Sequence, residues 1–199
     1  MLNALLLVLF VFQGGESDTI RAEKTAIRIE VKEQGTWSIH GEIHYRASVD
    51  YWKEMDEQEA EAIRDWLSSP FTRGWYTAAV QRKKLEQRSD EVWLLTFDGT
   101  SEDVDELVGA VKELLLIDEG GFSWDGTTCT IASSDRRRSG LGDLIARKVY
   151  GGLFGDAELV IQSSGSVRVA GQDVGRRVTM NMDPAERIGQ KTAIEIRTK

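Results

Sequence analysis

The sequence predicts an α+β fold: a mostly antiparallel sheet built from hairpins, with three to four helices packed on one face. Three observations lead there. Short segments of strict apolar/polar alternation dominate, and most are bounded by turn residues. Stretches of helical periodicity interrupt them. Regular strand–helix alternation is not sustained, which argues against a doubly wound parallel sheet. The chain has 199 residues, 41% hydrophobic and 29% charged. A chain of that size buries about 70% of its unfolded surface, so a core can form without staples.

Residues 25–33 alternate, with Ile27, Ile29 and Val31 on one face and Arg28, Glu30 and Lys32 on the other. Gln34-Gly35 marks a turn. Residues 37–45 alternate again, placing Trp37, Ile39, Ile43 and Tyr45 inward and His40, Glu42 and His44 outward. The pair reads as a β-hairpin with one apolar face. Ser48 or Asp50 then caps a helix to about Leu67, where Trp52, Met55, Ala62, Ile63 and Trp66 share one side. Ser68-Ser69-Pro70 ends it. A second helix is expected over Arg73–Gln87, with Trp75, Ala79 and Val80 inward and Arg82, Lys83, Lys84 and Arg88 suited to its C-terminal dipole.

Val92–Phe97 reads as a central strand, turned by Asp98-Gly99-Thr100. Ser101 is the expected cap of the next helix, with Glu102 and Asp103 in its first turn. Val104, Leu107, Val108, Val111, Leu114 and Leu115 form its buried stripe. Phe122–Ile131 is a hairpin turned at Asp125-Gly126. Ser139 is the expected cap of a helix to Tyr150, stopped by Gly151-Gly152. Strands follow at Glu158–Gln162, Ser166–Ala170, Arg176–Met182 and Thr192–Arg197. Lys24–Ile29 and Lys191–Ile196 echo each other, but six residues make no repeat, and shared strand propensity accounts for them.

Two segments differ in character. Residues 1–15 carry the apolar run Ala4–Phe12, about 14 Å long as a helix. It is too short to span a bilayer but has the length of a signal-peptide h-region. No Lys or Arg precedes it and no Ala-x-Ala site follows it. It is read as a targeting segment, with a buried strand or helix of the mature fold as the competing reading. Residues 16–199 are expected to form a single α+β domain.

Composition excludes several chemistries. The net charge is −8, which disfavours nucleic acid. Cys129 is the one cysteine, so neither a disulfide nor a multi-cysteine zinc site forms within the chain. No phosphate-binding loop, nucleophile elbow or calcium loop is present. His40, Glu42 and His44 form the one His/carboxylate cluster. On a strand the outer pair stand about 13 Å apart, too far for both imidazoles to share a zinc ion easily. A solvated strand face is the simpler reading. Cys129 paired with His40 or His44 would be a nucleophile, but a small buried hydrophobe is simpler. Ser139–Asp143 enters a helix through two glycines without a full phosphate-binding pattern, so capping suffices. Arg136, Arg137 and Arg138 are a candidate contact for an anionic headgroup or phosphate, against a solvated loop. Trp37, Trp52, Trp66, Trp75, Trp93 and Trp124 look inward. They are core residues or the lining of an apolar ligand cavity.

One resemblance emerges from the order of these features. A leader-like run is followed by a hairpin with Ile29-x-Val31, Gly35-x-Trp37 and Ile39. Helical insertions follow. The chain closes with Glu158–Gln162, Gly165-x-Val167, Gly171 and Arg177–Met182. This order resembles the envelope-anchored LppM-type lipoprotein domain and similar secreted α+β domains, over about two-thirds of the chain. No lipobox cysteine follows the run and no C-terminal transmembrane segment is expected, so lipidation at the leader is not implied. The resemblance implies a non-catalytic extracytoplasmic module that binds lipid. It assigns no functional residue.

The expectation is therefore a non-enzymatic, extracytoplasmic binding module without cofactor or metal. Its partners are an apolar small molecule or an envelope protein, with peripheral membrane contact at Arg136–Arg138. The alternative is a structural subunit of an envelope assembly that retains its apolar N-terminal segment. A hydrolase would need His40 or His44 in a pocket beside Cys129 or a carboxylate. Mass spectrometry of the native N-terminus separates the first two: the module reading expects a chain shortened beyond Phe12, and an intact Met1 removes the cleaved leader.

Overall fold

A computed structural model describes residues 21–47, 57–58, 60–61, 64, 80–115, 121–132, 155–182 and 193–199. Among them the strands are β1 (Arg21–Val31), β2 (Trp37–Arg46), β3 (Val80–Gln87), β4 (Val92–Ser101), β5 (Phe122–Trp124), β6 (Thr128–Ala132), β7 (Asp156–Ser163), β8 (Ser166–Val169), β9 (Gln172–Asp173), β10 (Arg177–Asn181) and β11 (Ala193–Arg197). One α-helix is bounded among the described residues, α1 (Val104–Leu114). The strands form a six-stranded sheet, ordered β10-β7-β1-β2-β4-β3, and a five-stranded sheet, ordered β5-β6-β11-β8-β9.

The first hairpin forms as the alternation dictates. β1 and β2 pair antiparallel, Ile29 opposite Ile39 and Val31 opposite Trp37. A 3₁₀ turn at Glu33–Gly35 joins them, and the Lys32 N–H donates to the Thr36 carbonyl at 2.7 Å. The register slips between Ala22 and Lys24. That bulge turns both Ala22 and Thr25 toward the core. On β7, Ala157, Leu159 and Ile161 face inward while Asp156 and Glu158 are exposed. The five-stranded sheet supplies Cys129, Ile131, Val167, Ile194 and Ile196. Inward side chains of both sheets join those of α1 in one apolar cluster.

Helix α1 closes that cluster with Leu107, Val108, Val111 and Leu114. Its cap is Asp103, two residues past the expected Ser101. The Asp103 Oδ1 accepts from the N–H groups of Asp105 (2.8 Å) and Glu106 (3.4 Å). Ser101 braces this start: its Oγ accepts from the Asp103 N–H at 3.0 Å and donates to Glu106 Oε2 at 2.6 Å.

Several expectations need correction. The fold is α+β and mostly antiparallel, but the three to four helices on one face are not found; α1 is the single bounded helix among the described residues. It touches both β4 and β6, so it seals the space between sheets and does not layer on an outer face. Of the helix expected over Arg73–Gln87, residues 73–79 lie outside the described residues and Val80–Gln87 is strand β3. Its Lys, Leu, Glu and Gln suit a helix locally, and pairing with β4 overrides that preference. The expected turn at Asp98-Gly99-Thr100 is strand, because β4 runs on to Ser101 against β2. β1 and β7 pair in parallel, the one parallel pairing among the described strands of a sheet expected to be mostly antiparallel. Of the helix expected from about residue 48 to Leu67, Glu57, Gln58, Ala60, Glu61 and Arg64 are described and helical. The expected helix Ser139–Tyr150 and the apolar run Ala4–Phe12 lie outside the described residues.

One position tests the packing directly. Gly41 lies opposite Phe97, and the Phe97 ring occupies the place where a Cβ on residue 41 would sit. The ring is buried with 1% exposure, so it has little room to move. Gly41→Ala is expected to cost about 1–3 kcal/mol in urea unfolding. A Gly41→Ala/Phe97→Leu double variant should lose less than the two single losses added together.

Candidate functional site

Alternation on β2 places His40, Glu42 and His44 together on the outer, solvent face of the six-stranded sheet. Each imidazole approaches a different oxygen of Glu42. His40 Nε2 lies 3.9 Å from Oε1 and His44 Nε2 lies 4.0 Å from Oε2. Both gaps exceed a hydrogen bond. The neighbouring strands add mixed charge. Arg28 and Lys24 of β1 lie opposite His40 and His44, and Asp98 of β4 lies opposite His40. Asp98 is itself held by Arg82, whose Nε donates to Oδ1 at 2.9 Å. Among the described residues, no group of three His, Cys, Asp or Glu side chains is placed to hold a metal ion.

Cys129 lies elsewhere. It is on β6 of the five-stranded sheet, fully buried and opposite Ile196 and Trp124. Burial pushes its thiol up to about 12. The sulfur is thus protonated at neutral pH, on the core side of one sheet, while both histidines of the chain stand on the wet side of the other. The thiol and imidazoles do not assemble. Tyr45 is the other described buried titratable group with a raised value, again from burial, which keeps its phenol neutral.

The three described tryptophans divide between two places. Trp37 is fully buried, and its indole N–H donates to the Asp103 carbonyl at 2.8 Å, tying β2 to the start of α1. Trp124 packs at the same end, beside Gly35, which also abuts Val104. Trp93 lies opposite Tyr45. Tyr45 is eight residues along β2 from Trp37, about 26 Å at strand rise. No single small ligand spans both. The Arg64 guanidinium stands 5.7 Å from the centre of the Trp93 ring, a cation–π distance. Trp52, Trp66, Trp75, Arg136, Arg137, Arg138 and Ser139–Asp143 lie outside the described residues.

Sequence reasoning missed a basic edge. β3 presents Arg82, Lys83 and Lys84 in succession on an exposed strand. Lys84 pairs with Glu86, and Arg88 reaches the same carboxylate at 2.7 Å. The Lys84 hydrogen bond and the Arg88 charge hold Glu86 below the usual carboxylate range. The basic run was visible, but its assignment to a helix end hid its place on a sheet edge. The second sheet carries a similar arrangement on its outer face, where Glu195 lies between Arg168 (3.5 Å) and Arg197 (3.7 Å).

No family model matches the chain, and no curated protein matches it either. Among solved structures the chain is similar to the folded domain of LppM from Mycobacterium tuberculosis, determined by NMR. The likeness has a TM-score of 0.43 at 12% identity, covering 94% of this chain and 96% of that one. It is distant, and it falls on the same type of domain that the sequence pattern resembles. Among the described residues no helix is long and apolar enough to cross a membrane.

Two outcomes check this geometry. Cys129 should resist a thiol reagent at about pH 8 in the folded chain and react fully in denaturant, since only the thiolate attacks. Asp125 turns the β5–β6 hairpin, its Oδ1 accepting from the N–H groups of Thr127 (2.9 Å) and Thr128 (2.7 Å). Those bonds hold its carboxyl below the ordinary value of 3.8. Folding therefore favours the carboxylate. Its contribution is fully present above the ordinary value and is lost as pH falls through the lowered one. Amide exchange at Thr127 and Thr128 should accelerate over that acid range, and Asp125→Ala should accelerate it at neutral pH.

Proposed function

We propose that the chain is a non-enzymatic extracytoplasmic binding module for an apolar or amphiphilic ligand or a protein partner. One observation carries the reading: the distribution of groups able to do chemistry. The imidazoles and their carboxylate are exposed, and the thiol is sealed in the opposite sheet. Cys129 and Tyr45 are shifted by desolvation alone. Catalytic groups are typically tuned by burial together with a charged partner in a cleft. Here burial keeps the groups neutral and inert.

The Trp93 end supports an amphiphilic ligand. Tyr45 and Trp93 are buried there, with 2% and 7% exposure, and Arg64 stands over the Trp93 ring, so an amphiphile would reach the rings by displacing that cation. An acyl chain and an anionic headgroup match those two features. The leader-like run Ala4–Phe12 supports an extracytoplasmic location. The distant likeness to the LppM domain lies in fold and assigns no ligand.

Tryptophan emission tests the apolar-ligand version. Titration with a lysophospholipid below its micelle concentration is expected to give a saturable spectral shift, reduced in Trp93→Phe. Absence of any response to neutral, zwitterionic or anionic amphiphiles removes that version and leaves a protein partner.

A further inference from the structure

We propose that the edge of β3 that no described strand covers accepts an added β-strand from an acidic, extended peptide of a partner protein. This rests on the binding-module reading and gives its protein partner a chemistry. Among the described residues β3 pairs with β4 alone. Its residues 81–84 are exposed, and the side chains of Arg82 and Lys84 are 81% and 70% exposed. An edge strand turns half of its backbone N–H and C=O groups outward, a template for one more strand.

Charge selects the occupant. β3 carries Arg82, Lys83 and Lys84 against Glu86, a balance of +2 (three minus one), on a chain whose net charge is −8. The other edge strands do not match it: β10 has Arg177, β9 has Asp173, and β5 has no charge. A second copy of this chain is a poor fit. Antiparallel pairing of β3 with itself about its centre sets Lys83 against Lys84, and like charges directly opposite are destabilising. An uncharged strand is also a poor fit. Lys83 lies in register with core-facing Phe97, and a charge on that side discourages apolar pairing.

A flat anionic surface meets only half of the set. Arg82 and Lys84 project to the side of Asp98 and Thr96, whereas Lys83 projects to the side of Phe97. An added strand lies between the two sides, and its own side chains alternate likewise. Acidic residues along it therefore reach both. Arg82 and Lys84 are already positioned by Asp98 and Glu86, which limits the ordering cost of a cross-strand pair.

The test uses the full chain and a fluorescent nonapeptide with three consecutive glutamates at its centre, flanked by threonine and valine, so that carboxylates reach both sides of the strand, read by anisotropy. Saturable binding is expected, with slowed amide exchange in β3. A Lys83→Glu/Lys84→Glu variant, whose exposed substitutions should leave the thermal midpoint in place, is expected to bind about tenfold more weakly or worse. Equal affinity for a peptide with proline at its centre overturns strand addition, because charge alone then explains binding. So does unchanged binding by the double variant. Capture by phosphatidylglycerol vesicles through the same lysines, without peptide binding, also overturns it. A positive tryptophan titration beside a negative peptide result removes the β3 proposal and leaves the binding-module reading standing.

Discussion

The structure depends on one constraint: two sheets, each wet on one side, must bury their apolar sides against the same core. β1 shows it most clearly. Ile27, Ile29 and Val31 are almost wholly buried, while Arg28 between them is exposed. β11 repeats the pattern from the other sheet, with Ile194 and Ile196 buried and Arg197 exposed. Each such side chain, fully buried, contributes about 1.5–3 kcal/mol. None gains that unless the second layer is in place. The helix follows from the same need. α1 fills the side that two twisted sheets leave open, and the Trp37–Asp103 bond fixes where it starts.

The crossing between sheets requires a tight corner, and its sequence shows why. β7 ends at Ser163 in one sheet and β8 begins at Ser166 in the other. At the corner the Ser164 N–H donates to the Val31 carbonyl at 2.9 Å. The Ser163 hydroxyl donates to the Arg197 carbonyl. Gly165 approaches that same carbonyl so closely that a Cβ would overlap it. A buried hydroxyl and a glycine thus join the ends of β1, β7 and β11 at one point. Of the Lys24–Ile29 and Lys191–Ile196 echo, residues 24–29 fall on β1 and residues 193–196 on β11, strands of different sheets. Shared propensity explains it without a repeat.

What could be read in the sequence was what local physics determines. The β1–β2 hairpin, the buried stripe of α1 and the Asp125-Gly126 turn all appear where periodicity and turn chemistry put them. Alternation reports that one face is wet. It does not report which strand lies alongside or in which direction. The parallel partnership of β1 with β7 spans more than a hundred residues and leaves no local mark. β3 was illegible for another reason. As an edge strand it buries little, so VQRKKLEQ shows no alternation, and its composition favours a helix. The His40–Glu42–His44 face was legible because it needed only strand period, and the structure puts it on the solvent side as expected. The two ends occupied by Trp37 and Trp93 were not, since inward direction alone says nothing about distance along a strand.

The same constraint bears on where function can sit. The inner faces are committed to a shared apolar layer, and a thiol placed there is neutral. The outer faces carry cations and anions in close alternation. Arg46 meets Glu23 at 2.6 Å, and Arg168 and Arg197 flank Glu195. These pairs partly neutralise one another where they meet. Exposed pairs of this kind add little stability, typically about 0–1 kcal/mol each. What they do is keep both outer faces soluble and unattractive to apolar surfaces. On the proposed reading, recognition falls to the margins of the sandwich: the sheet edges and the end where Arg64 stands over Trp93. On β3 the balance of charge is broken in favour of cations, and among the described residues β4 alone pairs with it. If the chain is a binding module, polar faces and a sealed core direct its binding to the rim.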